Sequence, residues 1–559
     1  MSVTEWVESV QQDDLMEHTR QIAQYERLSG TREELKAFQY IYETLSSYGL
    51  KPELIEHDAF ISLPKSANLV VNGEEFQCIT HSMAPSEPGL TAPLKFINKN
   101  QLSSLDDQNG KIAIIHGLAA PGTVRNLQKL GFAAAIFINT SLTYEMIVSP
   151  VWGNPTPEKM DDFPTIPVIS VTKETGERLI QLADSNHEAY LQTQVDTRIR
   201  KIPLLTVDIE SKGDQEDFIL FSGHVDSWHY GAMDNGTANA TMLEVARITN
   251  EHRDELKRNL RLAFWSGHSH GRYAGSAYYA DQHWLELYEH CVAHVNIDSV
   301  GGQNATVLTQ ANCMAETKDI ATHSVGELTG QQFEGKRYGK AGDQSFWGIG
   351  IPSLYMGLSE QPPTDSSNMT VHEEMFGQSG KSTGFGWWWH TPEDLVDKID
   401  PAFLERDCQV YVHSIHQLLT KPKLPINQLA AIEDIRDGLQ TWSEKLQSSI
   451  SLQHLVKKLC KIEERLKVEQ EELSVDQYNQ LNMKLSRKLV PFNYVQSSVF
   501  DYDTLFSLPK VPALLEVDRL ITLDPSSNEY FFSKTKVQRI INELEFQLKE
   551  VETIINSFH

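Results

Sequence analysis

Several large protein classes are excluded by what this chain lacks. Its five cysteines, Cys78, Cys291, Cys313, Cys408 and Cys460, are scattered through 559 residues and odd in number. That is neither a disulfide framework nor a zinc-finger spacing. No apolar run approaches ~18 residues, so no membrane-spanning helix is expected. The opening stretch MSVTEWVESVQQDDLMEHTR has no basic n-region and no apolar h-region, so no secretory signal is expected. With the unpaired cysteines, this points to a reducing, cytoplasmic setting. Basic charge is scarce: 49 Lys and Arg stand against 76 Asp and Glu, a net charge of -27. Such a balance argues against nucleic acid and anionic membrane as partners. Internal repeats and low-complexity tracts are missing too.

What is present reads as a multidomain α/β protein, since the chain is too long for one ordinary core. Leu15, Ile22, Tyr25, Phe38, Ile41 and Leu45 recur at helical spacing near the start. LKPELIEHDAFISLP then reads as a strand. From about 59 to 200, short apolar runs (KIAIIHG, AAAIFIN, IPVISV) alternate with Gly/Pro/Asn turns, and VRNLQKLGF supplies a helix. This section reads as a small strand-rich insert. From 201 to 422 the order is strand, loop, helix, strand. DFILFSGHVD, RLAFWSG and HVNIDSVG are apolar runs that end in polar loops. That alternation predicts a mainly parallel sheet covered by helices on both faces. From 423 to 559 the chain is rich in Leu, Glu, Lys and Gln, and LQHLVKKLCKIEERLKVEQEEL and VQRIINELEFQLKEVETIINSF predict long amphipathic helices.

In open α/β sheets the working residues lie past the carboxyl ends of the strands. Four polar groups fall there: His224 and Asp226 in SGHVDSW, Asp234 in AMDNGTANA, Asp298 in NIDSVGG, and His390 in WWWHTPED. Each alone has a plain structural reading, such as a solvated loop pair, a helix N-cap or packing beside aromatics. Together, two histidines and two aspartates form the N/O ligand set of an open zinc-like site.

The ordered pattern of His-x-Asp, Asp-Asn, an apolar strand with a catalytic loop, Asn-x-Asp-x-x-Gly and a late His resembles the di-zinc aminopeptidases. That family includes glutamate carboxypeptidase and, as a non-enzymatic relative, the transferrin receptor. The resemblance covers almost the whole chain. It implies a zinc-peptidase α/β domain formed by residues 1–58 and 201–422. It also implies a β-rich protease-associated insert over 59–200 and an all-α, dimerisation-like domain over 423–559. Metal-activated hydrolysis of peptide or other amide bonds is the implied activity, with one or two zinc ions and a homodimer. His224 and Asp298 would bind one metal, Asp234 would bridge two, His390 would bind the second, and Asp226 would orient His224.

The loop Phe264–Ser276, FWSGHSHGRYAGS, departs from that family. Its Glu-Glu pair, a general base followed by a metal ligand, is absent. Counting back from Gly275-Ser276 puts Ser269 at the base and His270 at the ligand. Counting forward from Phe264-Trp265 puts His268 at the base and Ser269 at the ligand. His270 is the preferred metal ligand, because imidazole binds metal well and neutral serine poorly. If the segment were extended, His268 and His270 would face one cavity, with His268 as base. Arg272 could clamp a substrate carboxylate bidentately, and Trp389 in the run Trp387–Trp389 could wall an apolar pocket. The altered loop leaves two other readings: a non-peptide amidase or aminoacyl cyclotransferase, and an inactive receptor-like binding protein.

Overall fold

The computed structural model describes residues 3–213, 215–339, 341–363, 381–446, 450–506 and 508–558. Three helices, Val3–Glu8, Gln12–Ile22 and Arg32–Ser47, open the chain. Thr31 caps the third by accepting from the Glu34 amide, which satisfies one of the orphan donors of a helix N-terminus.

Two very long strands follow, Glu53–Val71 and Glu188–Ile209. They pair antiparallel from Glu53 opposite Thr206 to Val71 opposite Ala189. Between them lies the strand-rich insert. Its strands Glu87–Ile97, Ile112–His116, Ala134–Ile138 and Val168–Val171 run parallel, and the strand Ile112–His116 is buried from Ile112 to Ile115. The expected limits at 58/59 and 200/201 fall inside the two long strands. The sheet therefore continues from one region into the other.

The site-bearing sheet is built from Phe218–His224, Asn259–Trp265, Cys291–Asn296 and Ser353–Leu354, all parallel. Every residue of Phe218–His224 is buried, as expected of a central parallel strand covered on both faces. One cover is the helix Ala238–Glu251, buried on nearly all sides. Another is Pro401–Thr420, where Asp400 caps the Ala402 and Phe403 amides and Pro401 starts the helix.

The C-terminal helices Gln428–Leu446, Gln453–Glu472, Val475–Tyr494 and Asn528–Asn556 enclose their own core around Trp442, Leu485 and Leu544. Arg487 fastens them to the sheet-bearing part. Its buried guanidinium donates to the carbonyls of Tyr288, Leu287, Cys291 and Gly350.

Glu316, just before the helix Lys318–Thr329, is 2% exposed. Burial pushes its carboxyl up to about 7. Between the ordinary glutamate range and that value, the folded protein keeps a proton that the unfolded chain has lost. Stability therefore falls as pH rises through this window. Glu316→Gln is expected to raise the melting temperature relative to the parent at pH 8 to 9, and to leave it unchanged near pH 4. Thermal melts at the two ends measure this, and equal midpoints at high pH would contradict it.

Candidate active site

The parallel strands deliver the site. His224 ends Phe218–His224 and is 1% exposed. Its Nδ1 lies 2.9 Å from the Asp226 carbonyl. The ring hydrogen therefore sits on Nδ1, and Nε2 turns a lone pair toward two carboxylates. Asp234 Oδ1 is 3.3 Å away and Asp298 Oδ2 is 3.5 Å away. This buried Nε2 has no hydrogen-bond partner. Three lone-pair groups converging this closely repel one another unless a proton or a metal cation lies between them. The donor types and spacings suit a zinc-like ion, so these residues fit a metal.

Asp234 joins the two halves, because its Oδ2 is 3.1 Å from His390 Nε2. It is held from behind: the Met233 and Asp234 amides donate to the Asp394 carboxylate at 2.9 and 3.0 Å. Burial alone would raise the Asp234 carboxyl, but the paired His224 and His390 rings hold it below its ordinary range. The converse applies to His224. Burial works against its charge, yet Asp298 and the other carboxylates raise it well above the histidine range, so the place at Nε2 calls for positive charge, a proton in the empty cluster or an ion that displaces it.

The insert reaches into this site. His390 Nδ1 is 2.6 Å from the Glu145 carbonyl, and the Glu145 amide donates back to the His390 carbonyl at 3.0 Å. The hydrogen on His390 thus sits at Nδ1, and its Nε2 accepts from the Trp228 indole N–H at 3.1 Å. Trp389 stacks on the same ring, with centroids 3.3 Å apart.

His268 enters from the altered loop. Its ring stacks on His224 with centroids 3.7 Å apart, and its Nε2 lies 4.0 Å from Asp298 Oδ2. His224, His268 and Asp298 offer ligand atoms within 4.8 Å of one another. Behind His268, Nδ1 meets Asp343 Oδ2 at 2.9 Å, and the other Asp343 oxygen accepts from Ser276 Oγ at 2.9 Å. Asp343 belongs to the stretch GDQSFWGIG, which the resemblance implies is a substrate-side loop. No local signal marks it as a partner of His268, 75 residues away.

Other expected site residues are placed apart from the His224, Asp234 and Asp298 cluster. His270 is not with the ligand set, and among the described residues no carboxylate forms an ion pair with it. Its Nδ1 lies 3.0 Å from Ser29 Oγ, and its ring packs 4.5 Å from that of Trp228. The physical reason is that the segment is not extended. The Ala274 amide donates to the Gly267 carbonyl and the Gly275 amide to that of Ser266, closing a turn that begins at Gly267 with φ +76°. Residues two apart then face different ways. Burial pushes the His270 ring down to about 3, so the imidazole is neutral, and its buried Nε2 has no hydrogen-bond partner.

Arg272 is not a free clamp. It is 6% exposed, and it donates to the Ile147 carbonyl at 2.5 Å and the Ser149 carbonyl at 3.1 Å. It latches the insert to the loop. Asp226 orients His224 through its main-chain oxygen, its carboxylate Oδ1 lying 3.7 Å from the ring. That carboxylate instead accepts from Ser29 Oγ and the Ser269 amide at 2.7 and 2.9 Å. Ser269 lines the cavity as a neutral group.

The cavity itself is small, about 60 Å³. Asp234, His268, Asp298 and His390 face it across an apolar wall of Met356, Phe385 and Trp389. His270→Ala is therefore expected to keep the parent metal content by elemental analysis, and to lose about 1–3 kcal/mol of stability from the emptied, unsatisfied pocket. Loss of an ion in this variant would restore His270 to the ligand set.

A sheet of parallel strands with a buried His/Asp cluster at their carboxyl ends defines a metallohydrolase-type α/β site. Residues 205–414 match the model of Peptidase family M28, and residues 66–179 match that of the PA domain. The chain is 23% identical over 407 residues to Aminopeptidase YwaD of Bacillus subtilis (strain 168), which covers 71% of this chain and 82% of that one. It is 22% identical over 321 residues to the probable leucine aminopeptidase 2 of Aspergillus oryzae (strain ATCC 42149 / RIB 40), covering 55% and 63%. In fold it is similar to the crystal structure of BSAP, a zinc aminopeptidase from Bacillus subtilis. The TM-score is 0.58 at 20% identity, over 74% of this chain and 97% of that one.

Proposed function

We propose that this chain is a zinc-dependent peptidase that releases residues from the amino end of peptides, with His268 in place of the usual glutamate base. The observation that carries this is the buried cluster in which the bare His224 Nε2 lies 3.3 and 3.5 Å from Asp234 and Asp298. His224, Asp234 and Asp298 would hold the ion, which when bound supplies water activation and carbonyl polarisation. The chain's own groups do the rest. His268, its Nδ1–H held by Asp343, presents Nε2 to the cavity. That nitrogen takes the proton of the attacking water and returns it to the leaving amine. Asp343 steadies the imidazolium that forms in between. The cavity wall excludes bulk water and seats a small side chain. Arg272 is already engaged, and the other charge-bearing side chains that line the cavity are the carboxylates of Asp234 and Asp298 and the imidazoles of His268 and His390. These receive a substrate ammonium better than a substrate carboxylate, which favours the amino end.

One ion is favoured over two. The second position would rest on Asp234 and His390, with neutral Ser269 where a carboxylate would stand. There His390 Nε2 is already satisfied by the Trp228 indole at 3.1 Å. Trp228→Phe removes that donor and is expected to raise the zinc bound at this position. Elemental analysis at increasing free zinc measures it, and an unchanged isotherm would remove the capping role of Trp228. A cytoplasmic setting and a homodimer through the C-terminal helices complete the reading. The unpaired cysteines support the first. The second rests on the resemblance and on exposed aromatics such as Phe531, Phe532 and Phe546 on the last helix.

The deciding experiment is a panel of peptides with free and blocked amino ends. Zinc-dependent release of free amino acid from the unblocked ones is expected. Turnover of non-peptide amides or cyclisation of the amino-terminal residue, with no amino acid released, would move the chain to the amidase or cyclotransferase reading.

A further inference from the structure

Separate from the active-site cluster, a second group of ligand-type side chains converges at a helix crossing. His323 and Glu327 lie one turn apart on Lys318–Thr329, so they share a face. His413 approaches from Pro401–Thr420. His323 Nε2 is 3.5 Å from Glu327 Oε1, and His413 Nε2 is 3.0 Å from Glu327 Oε2. The two imidazole centroids are 5.2 Å apart. Zinc bonds of about 2.0–2.1 Å in a tetrahedron require ligand-to-ligand edges of roughly 3.3 Å. The His323–Glu327 and His413–Glu327 edges stand near that spacing, each through a different carboxylate oxygen, and one ligand atom from each of the three residues lies within 4.8 Å of the others.

The surroundings point the same way. His413 is 2% exposed, and its Nδ1 lies 2.9 Å from Ser324 Oγ. That hydroxyl gives its own hydrogen to the Ile320 carbonyl at 3.0 Å. Ser324 Oγ also accepts from Ser414 Oγ at 2.9 Å, so the Nδ1 contact fixes the ring, and Nε2, 3.0 Å from the Glu327 carboxylate, holds the hydrogen that a bound ion would displace. A hydrogen bond behind a ligating imidazole is the usual support for metal binding. Gln417 also reaches Ser324 Oγ at 3.0 Å and fixes that hydroxyl. The outer face is open, since His323 and Glu327 are 48% and 51% exposed, which leaves room for a water as fourth ligand.

We infer that His323, Glu327 and His413 form an accessory zinc site that ties the helix Lys318–Thr329 to the helix Pro401–Thr420. The second helix also holds the site-bearing loop. Tyr411 donates to the Asn296 carbonyl at 3.1 Å, and Asp407 accepts from the Gly301 amide at 3.0 Å, on either side of Asp298. An ion at this crossing stabilises the helix that frames the active site. It touches neither substrate nor the active-site cluster.

The test uses the full chain, equilibrated by dialysis against a series of free zinc concentrations, with zinc per chain counted by elemental analysis. Parent, His323→Ala, Glu327→Gln and His224→Ala are compared. His323 is exposed, so its truncation leaves the core intact. Glu327→Gln keeps shape and removes only the charge. One equivalent is expected to be lost, or weakened by at least roughly tenfold, in both His323→Ala and Glu327→Gln. His224→Ala retains that equivalent. Zinc raises the melting midpoint of His224→Ala, and the rise disappears in the double variant His224→Ala/His323→Ala. Identical isotherms for parent, His323→Ala and Glu327→Gln would overturn the site and leave the three residues a plain His–Glu cluster. A His224→Ala variant that loses no zinc would instead strike the proposed function and leave this inference standing.

Discussion

His224→Ala is expected to abolish high-affinity zinc at the buried cluster and to lower kcat/KM by about 10³-fold or more. The ion contributes several kcal/mol of transition-state stabilisation, and each ~1.4 kcal/mol is a factor of ten. The geometry makes His224 the most sensitive position, because its Nε2 faces both Asp234 and Asp298. Removing the ring leaves two buried carboxylates close together with nothing to separate them. A metal-free receptor-like protein predicts the opposite: no zinc in the parent, and no functional loss when His224 is replaced. Elemental analysis beside steady-state kinetics separates the two. The melting temperature supplies the control. A folded variant that has lost both zinc and turnover supports the assignment, and a folded variant that keeps both contradicts it.

Much of this site could be read from residue types and their places. His224, Asp234, Asp298 and His390 were legible because strands that end in polar loops put their side chains at one edge of a parallel sheet. The helical character of the C-terminal segment and the short strands of the insert were legible for the same local reason. What was not legible depends on turns and on distance along the chain. The choice between His268 and His270 turns on the closed loop after Gly267 (φ +76°), which a two-residue periodicity argument does not see. Arg272 looked like a substrate clamp because a charged side chain in a catalytic loop invites that reading. Its engagement with Ile147 and Ser149 comes from an insert more than 100 residues earlier. Trp228 over His390 and Ser29 against Asp226 and His270 are likewise contacts between elements remote in the chain. Sequence spacing carries no record of them.

The second large effect belongs to His268 and Asp343. His268→Ala is expected to lower kcat by about 10²–10⁴-fold, the range of a positioned general base, with KM little changed. Asp343→Asn is expected to lower kcat less, about 10- to 100-fold, because it removes the partner that holds Nδ1–H and steadies the imidazolium but leaves the base in place. The two act as one unit, so the double variant should cost about as much as His268→Ala alone. A merely structural Asp343 predicts a different result: its loss and that of His268 would add, and KM and stability would move with kcat. Zinc content then decides between base and ligand for His268, whose Nε2 lies 4.0 Å from Asp298 Oδ2. Full zinc occupancy in His268→Ala with turnover lost supports the base. Loss of the ion would make His268 a ligand and leave the proton transfer to another group. His268→Glu adds a third arm, since a carboxylate at this position also accepts a proton toward the cavity. Partial recovery over His268→Ala is expected, with zinc retained, because the cavity needs a base at that place more than it needs an imidazole.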